Sequence, residues 1–130
     1  MDFMTLVLSA IQVGVIGAVS ALVAPTVFRA LEASAAGAFL RRLFPRYFAT
    51  AAVLGLIASV LAVLGDRLLV ASIMGANGLC FVAARMMIPA INAAKDRGDP
   101  SFARLHRISV MLNMAGLVLA IGALAMLGSA

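Results

Sequence analysis

Charged side chains are missing from three long stretches of the chain, Phe3–Phe28, Tyr47–Gly65 and Ile108–Ala130, and a fourth, Leu68–Ala94, holds only Arg85. A helix needs about 20 apolar residues to cross about 30 Å of hydrocarbon, so the pattern predicts four transmembrane helices at about 3–28, 47–65, 68–92 and 108–128. The Gly65-Asp66-Arg67 turn between the second and third makes them an antiparallel pair. The longer connections are themselves patterned. In LEASAAGAFLRRLF, Leu31, Ala35, Phe39 and Leu43 recur every fourth position with arginines elsewhere, which predicts an amphipathic helix lying in the membrane interface. In the other connection AKDRGDP is a turn signal, after which SFARLHR opens a helix with Ser101 as its N-cap.

The two halves echo each other. Pro25 and Pro89 stand 64 positions apart, and FLRRLF (39–44) parallels FARLHR (102–107) at 63. Two spans per half give both halves the same orientation, so the repeat axis would run along the membrane normal. Each span also carries a face of small or polar residues, the type that lets helices pack closely in lipid. These faces are Ala10, Gly14, Gly17, Ala21 and Ala24; Ala52, Gly55, Ser59 and Ala62; Ala71, Gly75, Gly78, Val82, Arg85, Pro89 and Asn92; and His106, Ser109, Asn113, Gly116 and Ala120. Turned inward, they make a four-helix bundle. The fold class is therefore all-α: one integral membrane domain over residues 1–130, built from two tandem helical hairpins.

Composition agrees with this. The chain is 65% hydrophobic and 12% charged, against roughly 45–50% and 25% for soluble domains. MDFMTLVL begins with an acidic rather than a basic residue, so the first span is expected to stay as a helix rather than be cleaved as a signal. The net charge of +5 is read as topology, not as nucleic-acid binding. Arg29, Arg41, Arg42 and Arg46 follow the first span, and Lys95, Arg97, Arg104 and Arg107 follow the third; the opposite side has only Arg67. That asymmetry puts the cationic amphipathic loops in the cytoplasm and both termini outside, in a bacterial inner (plasma) membrane. Arg41, Arg42, Arg46, Arg104 and Arg107 form the interfacial basic set, with anionic headgroups as their partner. Cys80 is the single cysteine, so no intrachain disulfide can form.

The polar members of the predicted inner faces gather toward the cytoplasmic end: Arg85, Pro89, His106, Ser109 and Asn113. An arginine inside a span costs about 2.5–3.5 kcal/mol on insertion scales unless it is paired or snorkels. No carboxylate lies within any span, and Asn113 is at a similar depth, so an Arg85–Asn113 hydrogen bond is expected, with snorkelling to phosphates as the alternative. No phosphate loop, nucleophile–base pair, paired carboxylates, CxxC or HxxxH occurs. The chain does not read as an enzyme, and no catalytic residue, metal or cofactor is expected. Met74, Met86, Met87, Met111, Met114, Cys80 and His106 could supply soft-metal ligands, and His106 a haem ligand, but methionines in an apolar chain more often serve packing.

RRLFPRYF (41–48), ARMMIPAINAAKD (84–96) and FARLHRISVMLN (102–113) resemble the transmembrane-protein-205-like family of four-helix membrane proteins. The resemblance covers essentially the whole chain and is most specific in the Phe44-Pro45-x-Tyr47-Phe48 run and in the spacing of His106, Ser109 and Asn113. It implies Arg85, Pro89, His106, Ser109 and Asn113 as the polar set, while Ala83 stands where that family can carry an asparagine. The animal member is associated with tolerance of platinum drugs, which implies a link to metal or xenobiotic tolerance. The expected function is that of a small transporter-like or ligand-binding membrane protein, acting as a homo-oligomer if four spans are too few to enclose a pathway. The rivals are a non-catalytic accessory or scaffold subunit and a haem- or metal-binding protein.

Overall fold

A computed structural model describes residues 1–129. The described residues form helices joined by short linkages: α1 (Asp2–Ala18), a π-helical segment (Val19–Val23), α2 (Ala24–Ala30), α3 (Ala33–Leu64), α4 (Leu68–Asp96) and α5 (Ser101–Gly128). With α1, the π segment and α2 taken as one span, four helices are long and apolar enough to cross a membrane. Helices suit lipid, because each satisfies its own backbone N–H and C=O groups where no water can.

Pro25 explains the interruption of the first span. Proline has no N–H to give the carbonyl four residues earlier, and the helix widens just before it, with the Ala24 N–H bonding back to Val19 O, five residues away. Expectation and structure differ over the next segment. The amphipathic stretch is not a separate interfacial helix: Ala33–Leu64 runs unbroken through Pro45, 32 residues or about 48 Å at 1.5 Å per residue. The only break is the extended linkage at Leu31–Glu32. Ser101 is likewise not an N-cap but lies inside the first turn of α5, where its N–H donates to Asp99 Oδ1 at 2.8 Å. That donation holds the Asp99 carboxyl below its ordinary value. The two tight turns use left-handed backbone at Asp66 (φ 58°) and Gly98 (φ 63°).

Helices α3 and α5 each pack against both α1 and α4, so α1 and α4 face each other diagonally across the bundle. Their buried positions coincide at an offset of 65 residues. Thr5, Ser9, Gln12 and Ile16 of α1 map onto Val70, Met74, Asn77 and Phe81 of α4, all buried. Phe48, Ala51, Gly55, Ala58 and Ala62 of α3 map onto Asn113, Gly116, Ala120, Ala123 and Leu127 of α5, again all buried. The repeat expected at 63–64 from Pro25 and FLRRLF is thus a packing repeat at 65. Paired residues also touch: Asp2 with Arg67, Ser9 with Met74 and Gln12 with Asn77. Residues related by a two-fold can meet only beside it, so a pseudo-two-fold axis runs between α1 and α4, parallel to both.

Two glycines break this symmetry. A Cβ on Gly55 would lie 3.0 Å from the Gly78 Cα, so α3 and α4 meet backbone to backbone. The positions related to these two by the repeat are Ala120 and Val13, which carry side chains where α3 and α4 have none. The first span is accordingly the least embedded, with 17% of its apolar window buried against 39% for α3 and for α4. Its inward face is also not the predicted one. Ala10, Gly14 and Ala21 are exposed, and added Cβ atoms at Gly14 and Gly17 would meet nothing within 4 Å. On α3 Ala52, Gly55 and Ala62, and on α5 Ser109, Asn113, Gly116 and Ala120, do point inward.

Gly55→Ala should therefore cost about 1–3 kcal/mol by overpacking, whereas Gly14→Ala should be neutral or stabilise by up to about 1 kcal/mol through helix propensity. Reversible unfolding in mixed micelles measures both, and equal effects would contradict the close α3–α4 approach.

Candidate functional site

The bundle interior holds six buried polar side chains, Thr5, Ser9, Gln12, Asn77, Ser109 and Asn113, together with the Tyr47 hydroxyl. Near the termini Thr5 Oγ1 donates to Met1 O and Ser9 Oγ to Thr5 O, the local bonds by which helix hydroxyls are satisfied in lipid. One turn deeper, Gln12 Nε2 donates to Ala51 O (2.9 Å) and to Asn77 Oδ1 (2.6 Å), and Asn77 Nδ2 donates to Gly116 O (2.6 Å). One connected set of amides thereby joins all four spans. Its two amide-to-carbonyl bonds are repeats of each other, since both bridge 39 residues.

Gln12 and Asn77 lie about 15 and 14 Å along their helices from the terminal end at 1.5 Å per residue, close to the middle of a hydrocarbon layer of about 30 Å. Gly55 lets Asn77 in, because any Cβ there would collide with Asn77 Oδ1. The symmetry fails at one atom. Asparagine is a methylene shorter than glutamine, and only one amide can donate along the line joining the two. Gln12 does so, and its Oε1 is left fully buried with no hydrogen-bond partner. An orphaned buried acceptor costs about 1–3 kcal/mol.

Below this junction sits an aromatic layer. Phe81 packs edge-on to Tyr47 (6.1 Å, 72°) and against Phe48 (6.1 Å), with its ring in the space a Cβ of Gly116 would need. Tyr47 OH then donates to Asn113 Oδ1 at 2.6 Å, and Asn113 Nδ2 to Ser20 Oγ at 3.0 Å. Ser20 belongs to the π segment, so the irregular turn of the first span is fixed by a side chain of α5. Ser109 is buried one turn further along. From Thr5 to Ser109 an uncharged polar thread passes through the bundle, interrupted by Ile16 and Phe81.

Of the five residues expected to form the polar cluster, the structure brings Ser109 and Asn113 inside and leaves Arg85, Pro89 and His106 exposed. The Arg85–Asn113 bond is replaced by Asn113's bonds to Tyr47 and Ser20. The depths do match, but a long cationic side chain lowers its energy by leaving the bundle, and the amide by staying. His106 stacks on Phe102 (5.6 Å, 17°), and Lys95 Nζ lies 5.8 Å from the same ring. Arg42, Arg46, Arg104 and Arg107 are exposed near that end, and Arg41, also exposed, pairs with Asp96 (Nη1 to Oδ2, 3.1 Å). Gln12, Asn77, Tyr47 and Ser20 were not anticipated. A signal did exist: Gln12 is the chain's one glutamine, set in a charge-free run 65 positions before Asn77.

Tyr47→Phe should cost about 1–3 kcal/mol by stripping Asn113 Oδ1 of its donor. A double-mutant cycle with Asn113→Ala checks this, since most of that cost should vanish in the Asn113→Ala background. Strictly additive effects would rule the bond out.

A family model described as a domain of unknown function, DUF4149, matches residues 7–100. The match includes Gln12, Tyr47, Ala51 and Asn77 and ends before Asn113 and Gly116. No curated protein and no solved structure matches the chain.

Proposed function

Starting from the fact that the chain belongs to the DUF4149 family, we propose that it is a small transporter-like or ligand-binding membrane protein whose route is the uncharged polar thread. The observation that carries this reading is the Gln12–Asn77 junction: fully buried amides near the bilayer midplane, on the pseudo-two-fold axis, with one acceptor unpaired. Polar groups at that depth are costly and tend to mark functional sites in membrane proteins. Interrupted spans commonly contribute such sites, and here the π segment supplies Ser20. The thread carries no charge, which favours small uncharged polar solutes over ions. The likeness of RRLFPRYF and FARLHRISVMLN to the transmembrane-protein-205-like family supports a part in tolerance of metals or xenobiotics. The excess of cations at one end supports cytoplasmic placement of that end in a bacterial inner membrane, with both termini outside and anionic headgroups against the arginines.

The second reading, an accessory or scaffold subunit, draws on a different observation: the buried polar side chains mostly pair within the bundle, as hydrogen bonds that merely hold helices together do.

Proteoliposomes in a stopped-flow light-scattering assay separate the two. The transporter reading expects faster entry of water, urea or glycerol than into empty vesicles, reduced to the empty-vesicle rate by Asn77→Leu in protein that still inserts. Native protein no more permeable than empty vesicles favours the scaffold. For topology, a cysteine replacing Gly98 should be labelled only after the membrane is permeabilised, and labelling of intact cells would reverse the orientation.

A further inference from the structure

We infer that Gln12 Oε1 is the seat of a single small, uncharged hydrogen-bond donor; this rests on the ligand-binding reading above and names the ligand's chemistry. The glutamine amide has two N–H bonds and one acceptor oxygen. Both N–H bonds are committed, to Ala51 O and Asn77 Oδ1, so the atom left over accepts and does not donate. Gln12 is fully buried, so bulk water does not serve that oxygen. The ligand must therefore bring an N–H or O–H of its own.

Charge excludes a cation. The first span carries no charged residue from Phe3 to Phe28, and the acids nearest along the helices are the half-buried Asp2 and the exposed Asp66 at the terminal end, with Asp2 engaged by Arg67. A positive ligand at this depth would sit about 15 Å from any counter-charge along the helix, in a medium where unpaired charge is strongly disfavoured. Access is asymmetric. On the α3–α4 side Gly55 and Gly78 close the wall around Asn77, whereas Gln12 belongs to the less embedded first span. Water, urea and formamide share the required chemistry; dimethylformamide, which has no N–H, lacks it.

Because Gln12 is the only glutamine, ¹³C labelling of glutamine Cδ gives one side-chain carbonyl band in the infrared spectrum of the full-length protein in lipid. Two results support the seat and identify its occupant. If the band lies at the hydrogen-bonded frequency in hydrated membranes and rises on drying, the occupant is water. If it lies at the free frequency and falls on titration with urea or formamide, but not with dimethylformamide, the occupant is a solute. A free band that none of these moves, or one that moves only with dimethylformamide, overturns the proposal. The band reports binding whether or not solute crosses the vesicle. Loss of flux with an occupied seat would thus end the transport reading alone, and flux with an empty seat would end this inference alone.

Discussion

An amide cannot go unpaired in hydrocarbon without penalty, and here that constraint falls on one point that all four spans reach. Gln12 binds the α3 backbone and the α4 amide, and Asn77 binds the α5 backbone. Lipid offers helices no hydrophobic reason to associate, since its tails are as apolar as leucine. Packing and hydrogen bonds must do the work. Gly55 is small because Asn77 Oδ1 fills the space a Cβ would take, and Gly78 because Leu56 does.

The same junction shows how a duplicated hairpin stops being symmetric. The repeat is kept where it carries the bundle: buried positions coincide at an offset of 65, and the two amide-to-carbonyl bonds match. It is abandoned at Gly55 and Gly78, which let α3 and α4 meet closely, while their counterparts Ala120 and Val13 carry side chains. The first span is left the least buried of the four, and the unpaired oxygen belongs to it.

Much of this was legible in the sequence. Three charge-free runs, a fourth holding only Arg85, a short turn and cations at one end determine the spans and their antiparallel order. On α3 and α5 the inward faces follow from glycine, alanine, serine and asparagine at helical spacing. The first span was misread because its small residues form the more conspicuous stripe, yet its inner face is Thr5, Ser9, Gln12 and Ile16. When both faces of a helix are apolar enough for lipid, the need to pair a polar side chain outweighs the fit of a small one. Arg85 and Asn113 were placed at the right depth but joined wrongly. Sequence gives axial position through the rise per residue, but not whether a flexible cation turns outward. The continuity of α3 was hidden because an amphipathic segment running into a span looks the same as one lying flat before it.

A connection that spans 65 residues also has a history in time. The ribosome adds roughly 5–20 residues each second, so Asn77 is made several seconds after Gln12, and Gly116 later again. Gln12 meets its first partner only when Ala51 has been made, 39 residues on, and until then the first span is a helix with an unpaired polar side chain near its middle. The junction therefore becomes available in chain order: α3 offers Gln12 its first bond, α4 the second, and α5 the carbonyl that finally pairs Asn77.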